Sequence, residues 1–424
     1  MIDSSAIDKL VAGYTPPRVV EVTGFSQVSE AWRCPVLVPN TDGPGEEYFH
    51  AGTVLRLHGA EHLARRRAMS MLLSRRGHQY FREQWLLPTA ESALANVLSK
   101  RDDQGIARAD LADWGKRVNQ RLGAALVGLD DATTEAGADE LLALTAEVSK
   151  IRPHSVEVVL YGFSADGDDV KEGLAARQKI IDRFFTPALD RREALVAEVN
   201  AGRLAKDELP QDLLTLMALG LDPAWEDRAL AAREAFLLLG AASHTTSTVM
   251  QWTLKELFAW FGEHPEDLPL RTDRDFLLRA SQEAMRLHPV VPGFTRGAMS
   301  DVTLSDGTEI PQGDVALIRS GPPSLDEQAY GEDADRFNPH REVASDVYPF
   351  GFAFGTGPHM CYGVPIVMGA KGLDGSLVHL IDILLSAGIE PDPDAPPPVL
   401  EGTRGQYVEQ RQGYSFPVIF RGLS

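Results

Sequence analysis

The stretch Phe350-Gly351-Phe352-Ala353-Phe354-Gly355-Thr356-Gly357-Pro358-His359-Met360-Cys361-Tyr362-Gly363 constrains the fold more than any other part of the chain. Glycines at 351, 355, 357 and 363 permit tight turns and close approach of another group to the backbone. Pro358 stiffens the loop between them. The residues after Gly363 return to helical periodicity, which puts Cys361 beside a helix N-terminus, where amide dipoles favour a thiolate. Whatever fold forms must hold this loop rigid and present one sulfur.

Only two cysteines occur in the 424 residues, Cys34 and Cys361. That excludes a disulfide scaffold and a four-cysteine zinc or iron–sulfur site. A dinucleotide fingerprint fails because Met360 stands where the third glycine belongs. His359 is too near Cys361 in sequence to serve as the base of a cysteine nucleophile. What remains is a single thiolate acting as axial ligand to haem iron. Cys34, after Trp32-Arg33, has no motif around it and reads as incidental.

The rest of the chain is ordinary globular material, 44% hydrophobic and 24% charged, enough for a large core. Its 41 Lys and Arg against 61 Asp and Glu leave a net charge of −20, the wrong sign for a general nucleic-acid binder. Acids stand in the first residues where a signal peptide carries bases, and no apolar run reaches the roughly 18 residues of a membrane span. A cytoplasmic protein with no membrane and no nucleic-acid partner is expected.

Helical periodicity dominates up to about residue 289, over Glu61–Leu73, Leu111–Leu126, Val170–Asn200 and Pro223–Phe261. Afterwards come short strand-like pieces, Val302–Leu304, Val315–Ile318 and Tyr414–Phe420, with a last helix over Val364–Ser386. The pattern predicts a mainly α chain with small β-sheets, one domain over 1–424. Its α-rich bulk covers about 58–289 and 362–386, and its β-rich parts lie near 15–57, 300–320 and 395–420.

The segment from Asp222-Pro223 opens with a capping side chain and a proline at the first helical position. Midway it meets Gly240-Ala241-Ala242 and then Ser243-His244-Thr245-Thr246-Ser247-Thr248. Such residues compete for backbone carbonyls and can bend a helix. By themselves they read as a buried helix whose hydroxyls turn back to carbonyls one turn earlier.

Phe354-x-x-Gly357-x-His359-x-Cys361-x-Gly363 resembles the haem-binding signature of the cytochrome P450 family. The resemblance extends from roughly residue 20 to the end. Glu283-Ala284-Met285-Arg286 is similar to the family's Glu-x-x-Arg element, and Asp335–Arg341 to the segment that completes it through Arg336 or Arg341. Arg296 matches a propionate-binding arginine, and His62 with Arg66 an early His-x-x-x-Arg pair; His359 is a further propionate contact. Ala241-Ala242-Ser243-His244-Thr245 is similar to the oxygen-activation element, with Thr245 on its threonine, His244 where an acid is usual and Ala242 in place of glycine. Two departures mark an outlying member. The usual first helix is missing, with 20–34 read as a strand and the second helix, and Ser320–Asp326 replaces an Ala-Asn-Arg-Asp-like sequence.

The resemblance implies the family's fold, with haem b (iron protoporphyrin IX) between the long central helix and the cysteine loop. It implies a haem-thiolate monooxygenase that puts one oxygen atom of O2 into a small to medium hydrophobic organic substrate. Electrons then come from a separate ferredoxin or flavodoxin-type system, since the chain has no nucleotide or cluster motif of its own. Arg65, Arg67, Arg75 and Arg76 form the expected docking patch for that partner. A peroxide-driven peroxygenase or peroxidase and a non-enzymatic haem sensor are the alternatives. Ala241, His244, Thr245, Val290, Val291 and Phe294 are expected to line the substrate pocket. Residues near Tyr48–Leu57, the helices before Asn200 and the turn near Tyr407 would complete it.

Overall fold

The computed structural model describes residues 17–39, 49–149, 167–370, 372–400 and 415–421. Tyr48, Tyr407 and Tyr414 lie outside the described residues. The backbone is mainly helical with small sheets.

The long helix runs from Arg228 to Glu263 and starts later than the proline signal predicts. Asp222 caps only a 3-10 turn, Pro223–Glu226, and Asp227 then caps the long helix by accepting from the Ala229 amide at 2.9 Å. Helix Leu111–Val127 packs tightly along it, running the opposite way. Glycines make this approach possible: a Cβ on Gly123 would meet Ser243 Oγ at 3.0 Å, and one on Gly115 would meet Met250 Cε at 3.1 Å. Small residues on the facing side, Ser243 and Ser247, are buried for the same reason.

Helix Gly167–Ile180 continues into Thr186–Asn200 through a π turn, Ile181–Phe185. The same device links Arg75–Phe81 to Leu87–Leu98 through Arg82–Leu86. In both cases a proline follows the π turn, Pro187 and Pro88, and its missing N–H is absorbed by the widened turn.

The largest core cluster joins Leu111–Val127, the second half of the long helix, Arg274–Leu287 and Ser376–Ser386. A second joins the first half of the long helix to Glu135–Ser149 and the Gly167–Asn200 helices. A third seats helix Phe25–Arg33 on a four-stranded sheet. In that sheet Val19–Val22 runs parallel to Val315–Arg319, which pairs antiparallel with Gly293–Ala298, and that strand with Leu37–Val38. Ile106–Asp110, expected as helical surroundings, is a strand paired with Pro417–Arg421.

The predicted helix Val364–Ser386 is interrupted. Helix Val364–Met368 ends at Gly369, a hairpin pairs Gly369–Ala370 with Leu373–Asp374, and a second helix spans Ser376–Ser386. The glycines decide it: Gly369 takes φ +92° and Gly372 φ +78°, conformations that end a helix. Gly375 passes so close to the Val367 carbonyl that no side chain fits there.

Candidate functional site

The cysteine loop is built by turns. Gly351, Gly355 and Gly357 have φ of +59°, +63° and +69°. A Cβ on Gly355 would strike the Trp32 ring at 2.9 Å, so the loop lies flat on helix Phe25–Arg33. Arg33 adds a bond from its guanidinium to Thr356 Oγ1 at 3.2 Å. The Cys361 amide donates to the Phe354 carbonyl at 2.8 Å and so closes the loop. Phe354 itself is half-buried and meets Phe350 edge-on, 5.1 Å between centroids.

The Cys361 side chain is accessible, yet burial pushes its thiol above the usual range, so it opens onto an interior cleft. The Gly363 and Val364 amides and the Arg66 charge act the other way. The helix behind it is only Val364–Met368, so these two amides supply the stabilisation that a longer helix was expected to give. Gly363 leaves room at the sulfur, a Cβ there lying 3.7 Å from Sγ.

Beside the loop stands a cluster of cations and imidazoles from three separate parts of the chain. His62 and His359 are stacked, 4.0 Å between ring centroids. Burial, then Arg66 and Arg296, hold His62 down at about 4, and burial, then Arg296, hold His359 down at about 3. Arg296 is 5% exposed and lies over the Trp32 ring at 4.7 Å. Its guanidinium donates to the neighbouring Thr295 carbonyl, and burial, then Arg56, pulls it down to about 9. Arg66 donates to the Met360 carbonyl at 2.9 Å and stacks on Tyr362, whose hydroxyl returns to the Arg66 carbonyl at 2.8 Å. None of His62, Arg66, Arg296 and His359 has an acidic partner among the described residues. The half-buried Arg66 and buried Arg296, without counter-ions among the described residues, suit a ligand that brings two carboxylates, and haem b does so. The residues present fit the group.

The long helix divides its polar stretch by face. Ser243 and Ser247 are buried against Leu111–Val127, with Ser243 donating to the Leu239 carbonyl at 2.7 Å. Ala241 and His244 are exposed and Thr245 and Thr248 half-buried on the other side. Thr245 donates to the Ala241 carbonyl at 2.9 Å and Thr248 to the His244 carbonyl at 3.1 Å. The helix nevertheless stays continuous through the cluster. Leu238 and Ala242 pack on the same core as Phe354, Met360 and Val364 of the loop, which brings helix and loop together.

A small cleft, partly open to solvent, lies along this helix. Phe49, Val148, Phe236 and Leu237 give it apolar walls, and Gln120, Thr145 and His244 polar ones. Of the expected pocket residues, His244 lines this cleft, while Ala241, Thr245, Val290, Val291 and Phe294 do not. Val290 packs on the main core and Phe294 meets Trp32 edge-on at 5.2 Å. The lining is also more polar than the expected set.

The Glu283–Arg286 pair is buried, Arg286 being 0% exposed. Two bonds of 2.8 and 2.7 Å join them, and Arg341 Nε reaches the same carboxylate at 2.9 Å. Arg341 is therefore the side chain that completes the network, and Arg336 contributes its carbonyl. The unusual Ser320–Asp326 stretch takes part as well, its Ser324 carbonyl accepting from Arg286 at 2.6 Å.

Arg65 does not belong to a docking patch. It is 3% exposed, bonds Asp222 at 2.5 Å and also pairs with Glu234. A buried cation between two acids is a structural pin. Arg67, Arg75 and Arg76 are exposed, and Arg76 donates to the Asp207 carbonyl at 3.1 Å. Trp32, on which the cysteine loop lies, and Gln120, on the cleft wall, are the residues sequence reading missed. Trp32 could have been suspected from the glycines that must clear some bulky neighbour; Gln120 carries no local signal.

The profile of the family described as Cytochrome P450 matches residues 267–369. An obtusifoliol 14-alpha demethylase of Sorghum bicolor is 28% identical over 316 residues, 65% of this chain and 61% of that protein. A flavonoid 3'-monooxygenase of Oryza sativa subsp. japonica is 30% identical over 263 residues, 52% of this chain and 48% of that one. The chain thus spans about half to three fifths of the length of these relatives. The crystal structure of CalO2 superposes with a TM-score of 0.66 at 18% identity, covering 99% of this chain and 96% of that one. Among the described residues no helix is long and apolar enough to cross a membrane. Signature loop, buried Glu-Arg network and fold all agree with the cytochrome P450 family, whose model the chain matches over residues 267–369 and which binds haem.

Proposed function

We propose that the protein is a cytoplasmic haem-thiolate monooxygenase. It places one oxygen atom of O2 into a small to medium organic substrate by hydroxylation, epoxidation or O-dealkylation. Electrons come from a separate ferredoxin or flavodoxin-type partner. The observation that carries this reading is the accessible Cys361 thiol beside a buried cation cluster without acids.

Cys361 Sγ would hold the iron, positioned by the Gly363 and Val364 amides. His62, Arg66, Arg296 and His359 would hold the two carboxylates. When bound, haem supplies the electron transfer and O2 chemistry that no side chain provides. Phe49, Val148, Phe236 and Leu237 keep water from the substrate. His244 stands in the cleft wall, where its imidazole can pass a proton. Thr245 keeps its hydroxyl in place through the Ala241 carbonyl, one turn from the exposed helix face.

His244 supports a second reading, in which hydrogen peroxide replaces O2 and the redox chain. That reading predicts product from peroxide alone at rates comparable with the complete system.

The reduced, carbon-monoxide-bound spectrum tests the central assignment. The wild-type protein should show the red-shifted thiolate band and Cys361→Ser should lose it. A wild-type spectrum without the red shift overturns the proposal. A spectral titration of the ferric protein against a compound panel then reads substrate binding directly.

A further inference from the structure

Arg177 is a buried cation that the haem site described above does not use. It lies on helix Gly167–Ile180 and is 8% exposed. Its guanidinium sits 5.3 Å from the centre of the Phe236 ring, and Phe236 walls the cleft described above. Its Nε is cut off from solvent with no acceptor, and no hydrogen bond from its other nitrogens is found among the described residues. The nearest charge is another cation, Arg233, which donates to the Ala51 carbonyl at 2.9 Å. Burial and that neighbour both oppose the charge on Arg177.

Two other buried arginines have acids. Arg65 has Asp222 and Glu234, and Arg192 has Asp130 and Asp212. A buried guanidinium without one is costly, and stacking on a single phenyl ring offsets only part of that cost. The cleft has a second idle donor. Gln120 is 1% exposed, lines the same cleft, and its side-chain nitrogen has no acceptor. Gln120 thus offers an idle donor on the cleft wall, and Arg177 another behind the wall residue Phe236, with acceptors missing at both.

Resting on the monooxygenase reading, we propose that the substrate is a carboxylate-bearing molecule whose acid group is held by Arg177. Its apolar body then lies along Phe236, Leu237 and Val148, with a carbonyl or hydroxyl oxygen near Gln120. A planar carboxylate matches the guanidinium fork and supplies the missing counter-charge. Phe236 stands roughly two turns before His244 on the long helix, or roughly 12 Å along its axis. The acid is thus held away from the reacting carbon, and oxidation falls on the far part of the skeleton.

The test uses the haem-loaded full chain and matched probes: 4-phenylbutanoate, dodecanoate, and the methyl ester of each. Wild-type protein should bind each acid about tenfold or more tighter than its ester in the ferric spectral titration. Arg177→Met should abolish that preference while Arg177→Lys keeps part of it. Thermal unfolding gives a second readout. Without ligand Arg177→Met should melt no lower than wild type, because an unpaired buried charge is removed, and the acids should raise only the wild-type midpoint. Equal binding of acid and ester, silence of both, or a preference that survives Arg177→Met overturns the proposal. The carbon-monoxide spectrum of each variant is recorded alongside. Its red shift, intact while the acid preference is absent, separates failure of this proposal from failure of the haem-thiolate reading.

Discussion

His244, standing where the resembled element usually carries an acid, owes its interest to its placement. It lies on the exposed side of the long helix and on the cleft wall, where the two surfaces meet. An imidazole there can take and give a proton, as a carboxylate would. If it relays protons, His244→Ala should lower coupled product formation by about tenfold or more and raise the release of hydrogen peroxide. Substrate affinity in the spectral titration should change little. A fall in affinity with coupling preserved would make it a substrate contact instead.

At the scale of elements, helix Gly59–Met69 shows how one turn distributes three arginines. Arg65 points into the acids Asp222 and Glu234, Arg66 to the Met360 carbonyl and Tyr362, and Arg67 to solvent. Successive residues on a helix face different directions, so a run of arginines is never one surface. The partner-docking patch therefore shrinks to Arg67, Arg75 and Arg76, with exposed Leu63 and Met71 nearby in sequence. Charge reversal at Arg67 and Arg75 together should slow reduction by an acidic electron carrier by about tenfold at low ionic strength, and the difference should fade with salt. An unchanged stopped-flow rate would remove these residues from the docking surface. Arg65→Glu, by contrast, should damage folding, since it leaves two acids facing a third.

At the scale of the molecule, several buried imidazoles make the protein sensitive to acid. Burial lowers His62 to about 4 and His359 to about 3, and it lowers His78 and His379 as well. In the unfolded chain each titrates near 6.5. Above that pH neither state binds these protons, and the histidines leave stability unchanged. Below it the unfolded state takes up protons that the native state refuses, so stability falls with pH, by up to about 1.4 kcal/mol per unit for each histidine. For His62 the loss continues down to about 4. The urea midpoint of haem-free protein should therefore drop between about pH 7.5 and about pH 5.5, and His379→Asn should reduce that drop. Equal midpoints at the two pH values would contradict the assignment of these rings as buried and neutral.

Much of the site was legible from short patterns because its chemistry is local. A glycine-punctuated loop around one thiol, an acid and an arginine three residues apart, and a histidine one turn before an arginine each announce themselves by type and spacing. The helical bulk was legible from periodicity for the same reason. What sequence could not determine is which neighbour each face meets. The hydroxyl run on the long helix looked uniform, and only packing against Gly115 and Gly123 separates its buried serines from the half-buried Thr245 and Thr248. The helix after Cys361 looked continuous, and only the turns at Gly369, Gly372 and Gly375 break it. Arg65 and Arg177 are chemically identical in the sequence, yet one meets Asp222 and Glu234 from more than a hundred residues away, and the other meets no acid among the described residues. A side chain's charge is set by its type, but its counter-charge is set by the fold, and that is why tertiary structure decided which cations are pins and which await a ligand.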